Sequence, residues 1–169
     1  PVADANLMRQ ALSYSVELGL PIINHAEDKK IGAGGVMSAG TVATRLGLAG
    51  VPAEAETAMV ARDLHLADLT KARLHIPHIS TVGSLVALRT ETESGVDVTA
   101  EVTPHHLTLS DEWVYGLKGE VPATVGSEAY DTNTKVNPPL RSRADVEAVI
   151  DALNEGLIDI IATDHAPHA

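Results

Sequence analysis

Three apolar stretches in this sequence run out into residues that can hold a metal or move a proton. "LPIINH" ends at His25, "ARLHIPH" at His78 and "LIDIIATD" at Asp164. Cysteine is absent, so any metal must be held by imidazole and carboxylate. Two imidazoles and a carboxylate suit zinc or a similar divalent ion. The carboxylate can also take a proton from a metal-bound water. Taken singly, each histidine reads as a hydrogen-bonded structural residue at a strand end. Asp164 differs: a carboxylate straight after "IDIIAT" is expected to be buried, and a buried charge must be paired, liganded or shifted in pKa. Together the three point to a metal-dependent hydrolase.

The elements that must position these residues follow from apolar periodicity. Asp4 caps a helix over 4–18, with Leu7, Ala11, Tyr14 and Leu18 at helical spacing and Gly19 closing it. A second helix covers 53–70, with Ala55, Met59, Leu66 and Leu69 on or near one face. A third spans about 81–92, and a fourth runs from a Ser142 cap to about Asn154, ended by Gly156. Between them, short strands end at His25, His78, Thr103, Asn137 and Asp164. Residues 111–134 read as a long loop, either functional or a surface insertion.

Strand–helix alternation means parallel strands joined by crossover helices, so every strand ends on the same edge of the sheet. The fold class expected is α/β, a (β/α)8 barrel whose mouth gathers those ends. A doubly wound sheet is the runner-up, but it places ligands at one switch point and not at successive strand ends. A complete barrel takes about 250 residues, so residues 1–169 are expected to hold about five of the eight strands and to lack the first ones.

Composition sets the outer bounds. Hydrophobic residues make up 44% of the chain, enough for a core, which must be aliphatic because phenylalanine is absent. A net charge of −11 argues against nucleic acid as a partner. No apolar run approaches the roughly 18–20 residues of a membrane span.

The remaining histidines divide. His65 falls mid-helix and reads as structural. His75 stands three residues before His78, on the opposite face of its strand, where it is expected to pack against a helix. His105 and His106 follow Pro104 and either support the site from behind or shape its mouth. His168 is expected on the loop above the mouth, within reach of a substrate. Arg141 is read either as a carboxylate clamp or as a surface residue before the last helix.

The motifs "NHAED", "HIPHIST", "AEVTPHHL", "NPPLR" and "ATDHAPH" occur in the order and rough spacing of the class I dihydroorotases of the amidohydrolase superfamily, which the chain resembles along essentially its whole length. The resemblance implies a centre of one or two zinc ions and the reversible cyclisation of N-carbamoyl-L-aspartate to (S)-dihydroorotate in pyrimidine biosynthesis. It implies His25, His78 and Asp164 as metal ligands, Asp164 also as the catalytic acid/base, and Asn137 and His168 as substrate contacts. The family's H-x-H pair, the Arg that follows it and its bridging carboxylate have no counterpart in residues 1–169. The partners implied are the small-molecule substrate, a second copy in a homodimer and aspartate carbamoyltransferase, in the cytoplasm and without nucleic acid or membrane. The alternative is a non-catalytic dihydroorotase-like scaffold subunit of aspartate carbamoyltransferase; such subunits usually lose metal ligands, whereas His25, His78 and Asp164 are kept here.

Overall fold

The structure, a computed structural model, describes residues 1–166. Helix α1 (Ala5–Leu18) starts where the Asp4 carboxylate accepts from the Leu7 N–H, and it ends at Gly19, whose left-handed backbone suits glycine. Strand β1 (Ile22–Ile23) follows. The chain then makes an excursion through β2 (Met37–Ser38), α2 (Thr41–Leu46) and β3 (Gly50–Val51). Helix α3 (Glu54–Thr70) leads to β4 (Leu74–Ile76), and α4 (Val82–Glu93), capped by Thr81, leads to β5 (Val98–Val102). Beyond β5 come the short helix α5 (Pro104–Thr108), two 3₁₀ turns (Asp111–Tyr115 and Thr132–Thr134), α6 (Arg143–Asn154) and β6 (Ile160–Ile161).

The main sheet has the order β1-β4-β5-β6, and every pairing in it is parallel. Among the described residues the strands of this sheet stand in the order in which the chain meets them, with no reversal of direction and hence no switch point. The strands step around as in a barrel, with α3, α4 and α6 as crossovers, and the chain forms a partial barrel of this kind. Among the described residues the main sheet holds four strands, not about five. The expected strand at "TKVNPPLR" is instead a bend with a cis Asn137–Pro138 bond. Pro138 and Pro139 carry no N–H and cannot join a ladder. A second, two-stranded parallel sheet, β2 with β3, has no counterpart in the expectations. It depends on Gly35, where a Cβ would stand 2.8 Å from the Val51 backbone nitrogen.

One face of the main sheet meets the helices. Met8 and Leu12 of α1, Val60 and Leu64 of α3, Leu88 of α4 and Val149 of α6 close on Leu74, Ile76, Ala100 and Val102. On α1 the stripe Leu7, Tyr14 and Leu18 is exposed, and Met8, Leu12 and Ser15 are buried instead. The two stripes are offset by one residue, and the sheet takes the one that sequence periodicity passed over. Ser15 tolerates burial because its hydroxyl donates to the Leu12 carbonyl at 2.8 Å. On α3, Leu69 is likewise exposed, whereas Glu56 and Asp63 are buried. Strand β6 is exposed on both residues, contrary to the buried strand expected, because among the described residues it pairs with β5 alone.

Residues 111–134 are not a free insertion. Val114 and Tyr115 pack with Met37, Val42, Ala43 and Leu46 in a second small core under the β2–α2–β3 excursion. Tyr130 donates its hydroxyl to the Leu46 carbonyl at 3.0 Å. The turn at Gly116 requires glycine, since its φ is +74° and a Cβ would lie 2.0 Å from the Glu128 carbonyl oxygen. No helix among the described residues is long and apolar enough to cross a membrane.

Asp111, at the start of the first 3₁₀ turn, is 6% exposed, and burial, then the nearby charges of Glu112 and Asp145, push its carboxyl up to about 6. The folded state therefore holds this proton more tightly than the unfolded chain, and ionised Asp111 opposes folding above pH 6. Asp111→Asn is expected to stabilise the protein at pH 7.5, by an amount on the order of 1–3 kcal/mol. The gain should shrink towards zero as the pH approaches 4, where native Asp111 is itself protonated. Urea denaturation at both pH values measures this, and a gain independent of pH would contradict it.

Candidate active site

His25 follows β1 and His78 follows the adjacent strand β4, so the parallel pairing of Ile22–Ile23 with Leu74–His75 brings the two tips side by side. Their rings stand 4.6 Å apart, edge to face, with His25 Nδ1 2.8 Å from His78 Nε2. His25 Nε2 lies 3.0 Å from the Glu27 carboxylate, to which it donates its N–H. Across the 2.8 Å contact a neutral His25 accepts from the Nε2–H of His78, whereas a protonated His25 donates its Nδ1–H to His78 Nε2. Asn137 reaches in from the opposite side, its amide nitrogen 3.3 Å from both His25 Nε2 and the Glu27 carboxylate.

Electrostatics agree with this arrangement. Burial, reinforced by His25, lowers the pKa of His78 against the opposing charges of Asp164 and Glu56, which favours a neutral imidazole. Burial would raise Glu27, but hydrogen bonds from His25 and Asn137 and the His25 charge outweigh it and hold the carboxyl below its usual range. His78 adopts φ +37°, a left-handed backbone that non-glycine residues rarely take. Asp164 does the same, with φ +50°.

Asp164 is exposed, which corrects the expectation of a charge buried at a covered strand end. Its place at the tip of the edge strand β6 explains the difference. It lines a cleft of about 550 Å³ together with Glu27, His105, Lys135 and Asn137. Among the described residues no three of His, Cys, Asp and Glu form a group that could hold a metal. The donor chemistry nevertheless fits zinc: two ring nitrogens converge, burial disfavours the charged form of His78, and a carboxylate lies in the adjoining cleft. His168 lies outside the described residues.

Two residues read loosely from sequence have definite places. His106 is buried, and its Nε2–H donates to the Pro138 carbonyl at 3.1 Å while Nδ1 accepts from the Thr103 hydroxyl at 2.7 Å. It thus fastens the bend that carries Asn137. His75 faces away from the helices, contrary to expectation; its Nε2–H donates to the Glu101 carboxylate at 3.1 Å and Nδ1 lies 2.8 Å from the Thr99 hydroxyl. The alternation along β4, with Leu74 and Ile76 buried against the helices, dictates that orientation.

Arg141 is neither a surface residue nor a free clamp. It is buried, donating to the Glu56 carboxylate at 3.3 Å and to the Ser80 hydroxyl at 3.0 Å. Glu56 and Glu27 were not singled out in sequence. Glu27 sits two residues beyond His25, which was the available signal; Glu56 offered none beyond an acidic residue in an apolar helical register.

With this geometry in place, the comparisons are specific. Residues 1–84 match the family described as dihydro-orotase-like. A dihydroorotase of Pelotomaculum thermopropionicum is 55% identical over 99% of the chain, and one of Caldanaerobacter subterraneus is 51% identical over the same share. The chain belongs to the dihydroorotase-like family. It spans 36% of the length of each of these two relatives. Among solved structures, a D-hydantoinase from Thermus sp. matches at a TM-score of 0.75 with 24% identity, covering 98% of this chain and 35% of its own. An L-hydantoinase from Arthrobacter aurescens matches at 0.75 with 22% identity, covering 99% of this chain and 35% of its own. Both matches are below 25% identity and show the fold alone, an α/β barrel of which this chain forms part.

His106 yields a measurable consequence. Burial and then the His105 charge push its pKa down to about 4, so it is neutral when folded. The unfolded chain, with a histidine pKa near 6.5, takes up the proton first. The stability from this group is complete above pH 6.5 and is lost progressively towards pH 4. A His106→Gln variant is expected to be less stable at pH 7.5 yet to lose less stability between pH 6.5 and 4.5 than the parent. Denaturant midpoints across that range test it; parallel curves would contradict the assignment.

Proposed function

We propose that the protein carrying this chain is a zinc-dependent dihydroorotase. Its reaction is the reversible cyclisation of N-carbamoyl-L-aspartate to (S)-dihydroorotate with loss of water, the third step of pyrimidine biosynthesis. The observation that carries this reading is the meeting of His25 and His78 at 2.8 Å beside a cleft lined by Asn137 and Asp164, in a chain of this family. His25, His78 and Asp164 would hold the metal. Bound zinc supplies a water acidic enough to ionise near neutral pH and polarises the reacting carbonyl.

The chain's own residues do the rest. In ring opening, Asp164 accepts the proton of the attacking water as the carbon–oxygen bond forms. It returns that proton to the ring nitrogen as the carbon–nitrogen bond breaks. In ring closure the steps reverse: Asp164 takes the N–H proton of the ureido nitrogen as the carbon–nitrogen bond forms, and gives that proton to the departing oxygen as the carbon–oxygen bond breaks. The exposure of Asp164 in the cleft suits a group that must reach both water and substrate. Asn137, on a bend fastened by His106, would hold the ureido group, and His168 would contribute a second substrate contact. Retention of His25, His78 and Asp164 speaks against the non-catalytic scaffold reading.

In the complete protein, Asp164→Asn is expected to reduce turnover in both directions by about 10²–10⁴-fold, with the circular dichroism spectrum retained. Near-normal turnover would remove Asp164 from this role. Zinc content and dihydroorotate hydrolysis, measured together on the complete parent protein, separate enzyme from scaffold: a folded parent that neither binds zinc nor opens the ring would support the scaffold.

A further inference from the structure

Below the two histidines lies a pair of charges that the reaction itself does not use. Glu56 of α3 is 4% exposed, and Arg141 is 2% exposed. The Glu56 carboxylate accepts from the backbone N–H of Ser80 at 3.0 Å, the backbone N–H of Thr81 at 3.1 Å and the Thr81 hydroxyl at 3.2 Å, and also from the Ser80 hydroxyl. All of these bonds fall on the segment immediately after His78. Arg141, its counter-ion, closes the segment that begins at Asn137 and also donates to the Ser80 hydroxyl. A narrow void lined by His25, Glu27, Glu56, Asn137 and Arg141 confirms that the pair lies directly against the site.

We infer that Glu56, held by Arg141, is the positioning residue that fixes His78 and Asn137 relative to one another. The backbone of His78 supplies the reason such a device is needed. At φ +37° it is strained, and strained backbone persists only where its surroundings over-determine it. Four hydrogen bonds to one carboxylate from Ser80 and Thr81, two and three residues further on, are that over-determination. Because the same carboxylate is bridged to the Asn137 segment, a ligand of the metal and a contact to the substrate share one anchor. This rests on the proposed roles of His78 and Asn137.

The test uses the complete protein, stripped of zinc and retitrated against a chromophoric chelator, with steady-state kinetics alongside. Glu56→Gln is expected to weaken zinc binding by about ten-fold or more, as loss of support behind a ligand does. Arg141→Met should raise KM as well as lower kcat, and Arg141→Lys, which keeps the charge, should recover part of both. Ser80→Ala removes one hydroxyl only, leaves the backbone bonds in place, and should give a smaller loss of the same kind. Val149→Ala, in the core and lining neither the cleft nor the void, serves as the control: it should lower the Tm without altering zinc affinity. The inference is overturned if Glu56→Gln, or Ser80→Ala should Glu56→Gln not fold, binds zinc within about two-fold of the parent. It is equally overturned if Val149→Ala weakens zinc binding as much as they do. A parent that binds zinc normally beside unaffected variants defeats the positioning role alone. A folded parent that binds no zinc defeats the zinc reading, and this inference with it.

Discussion

Glu56 and Arg141 are both taken out of water, and much of the site is arranged around the cost of doing so. Transferring either charge alone into the interior is prohibitive, and even a pair breaks even only when its remaining donors and acceptors are satisfied. Here they are: among the described residues no buried side-chain nitrogen or oxygen lacks a partner. Removing one partner of such a pair generally costs about 3–5 kcal/mol, because the other is left buried and uncompensated. The exposed pairs Lys71–Asp68 and Arg89–Glu155 carry no comparable constraint, since water screens them. Helix α3 repeats the device at Asp63, whose carboxylate accepts from Arg62 and from the Asn24 amide at 2.6 Å. Glu56 and Asp63 lie two turns apart on one face of the helix, and they secure the segments around His78 and His25 respectively.

The sheet divides its two faces between packing and chemistry. Towards the helices it presents Leu74, Ile76, Ala100 and Val102, all buried. Towards the other side it presents His75, Thr99 and Glu101, which are joined in one hydrogen-bonded row across β4 and β5. Parallel register makes this possible, since paired residues on adjacent strands point the same way. It also explains why His25 and His78, far apart in sequence, meet: each follows its strand by the same two residues.

What the sequence disclosed was whatever local physics controls. The caps at Asp4 and Ser142 and the stop at Gly19 place helix ends by hydrogen bonding within one turn, and those ends were legible. So were the parallel strands and the strand-end positions of His25 and His78. Choices that depend on distant partners were not. Two stripes on α1 satisfy the same period, and only the sheet decides between 7/14/18 and 8/12/15. The bend at Asn137–Pro138 passes for a short strand until its missing N–H groups are counted against a ladder. Arg141 could not be placed without Glu56, which lies 85 residues earlier.

Asp164 shows how far curvature, and not contact, makes this site. It follows β6, and Glu27 follows β1, and these strands are the opposite edges of the four-stranded sheet. In a flat sheet three strand spacings would separate those edges by about 14 Å. Yet Asp164 and Glu27 line the same cleft, and the Asp164 charge is felt at His78 and at His105. Only a sheet bending towards closure brings both edges to one mouth. The exposed apolar side chains tell the same story, for Ile23 lies on one edge strand and Ile160 and Ile161 on the other. A closed barrel leaves no free edge, so these positions carry the apolar character of strands paired on both sides. The place of the Asp164 carboxylate in the cleft therefore depends less on its own neighbours in sequence than on the curvature of the whole sheet.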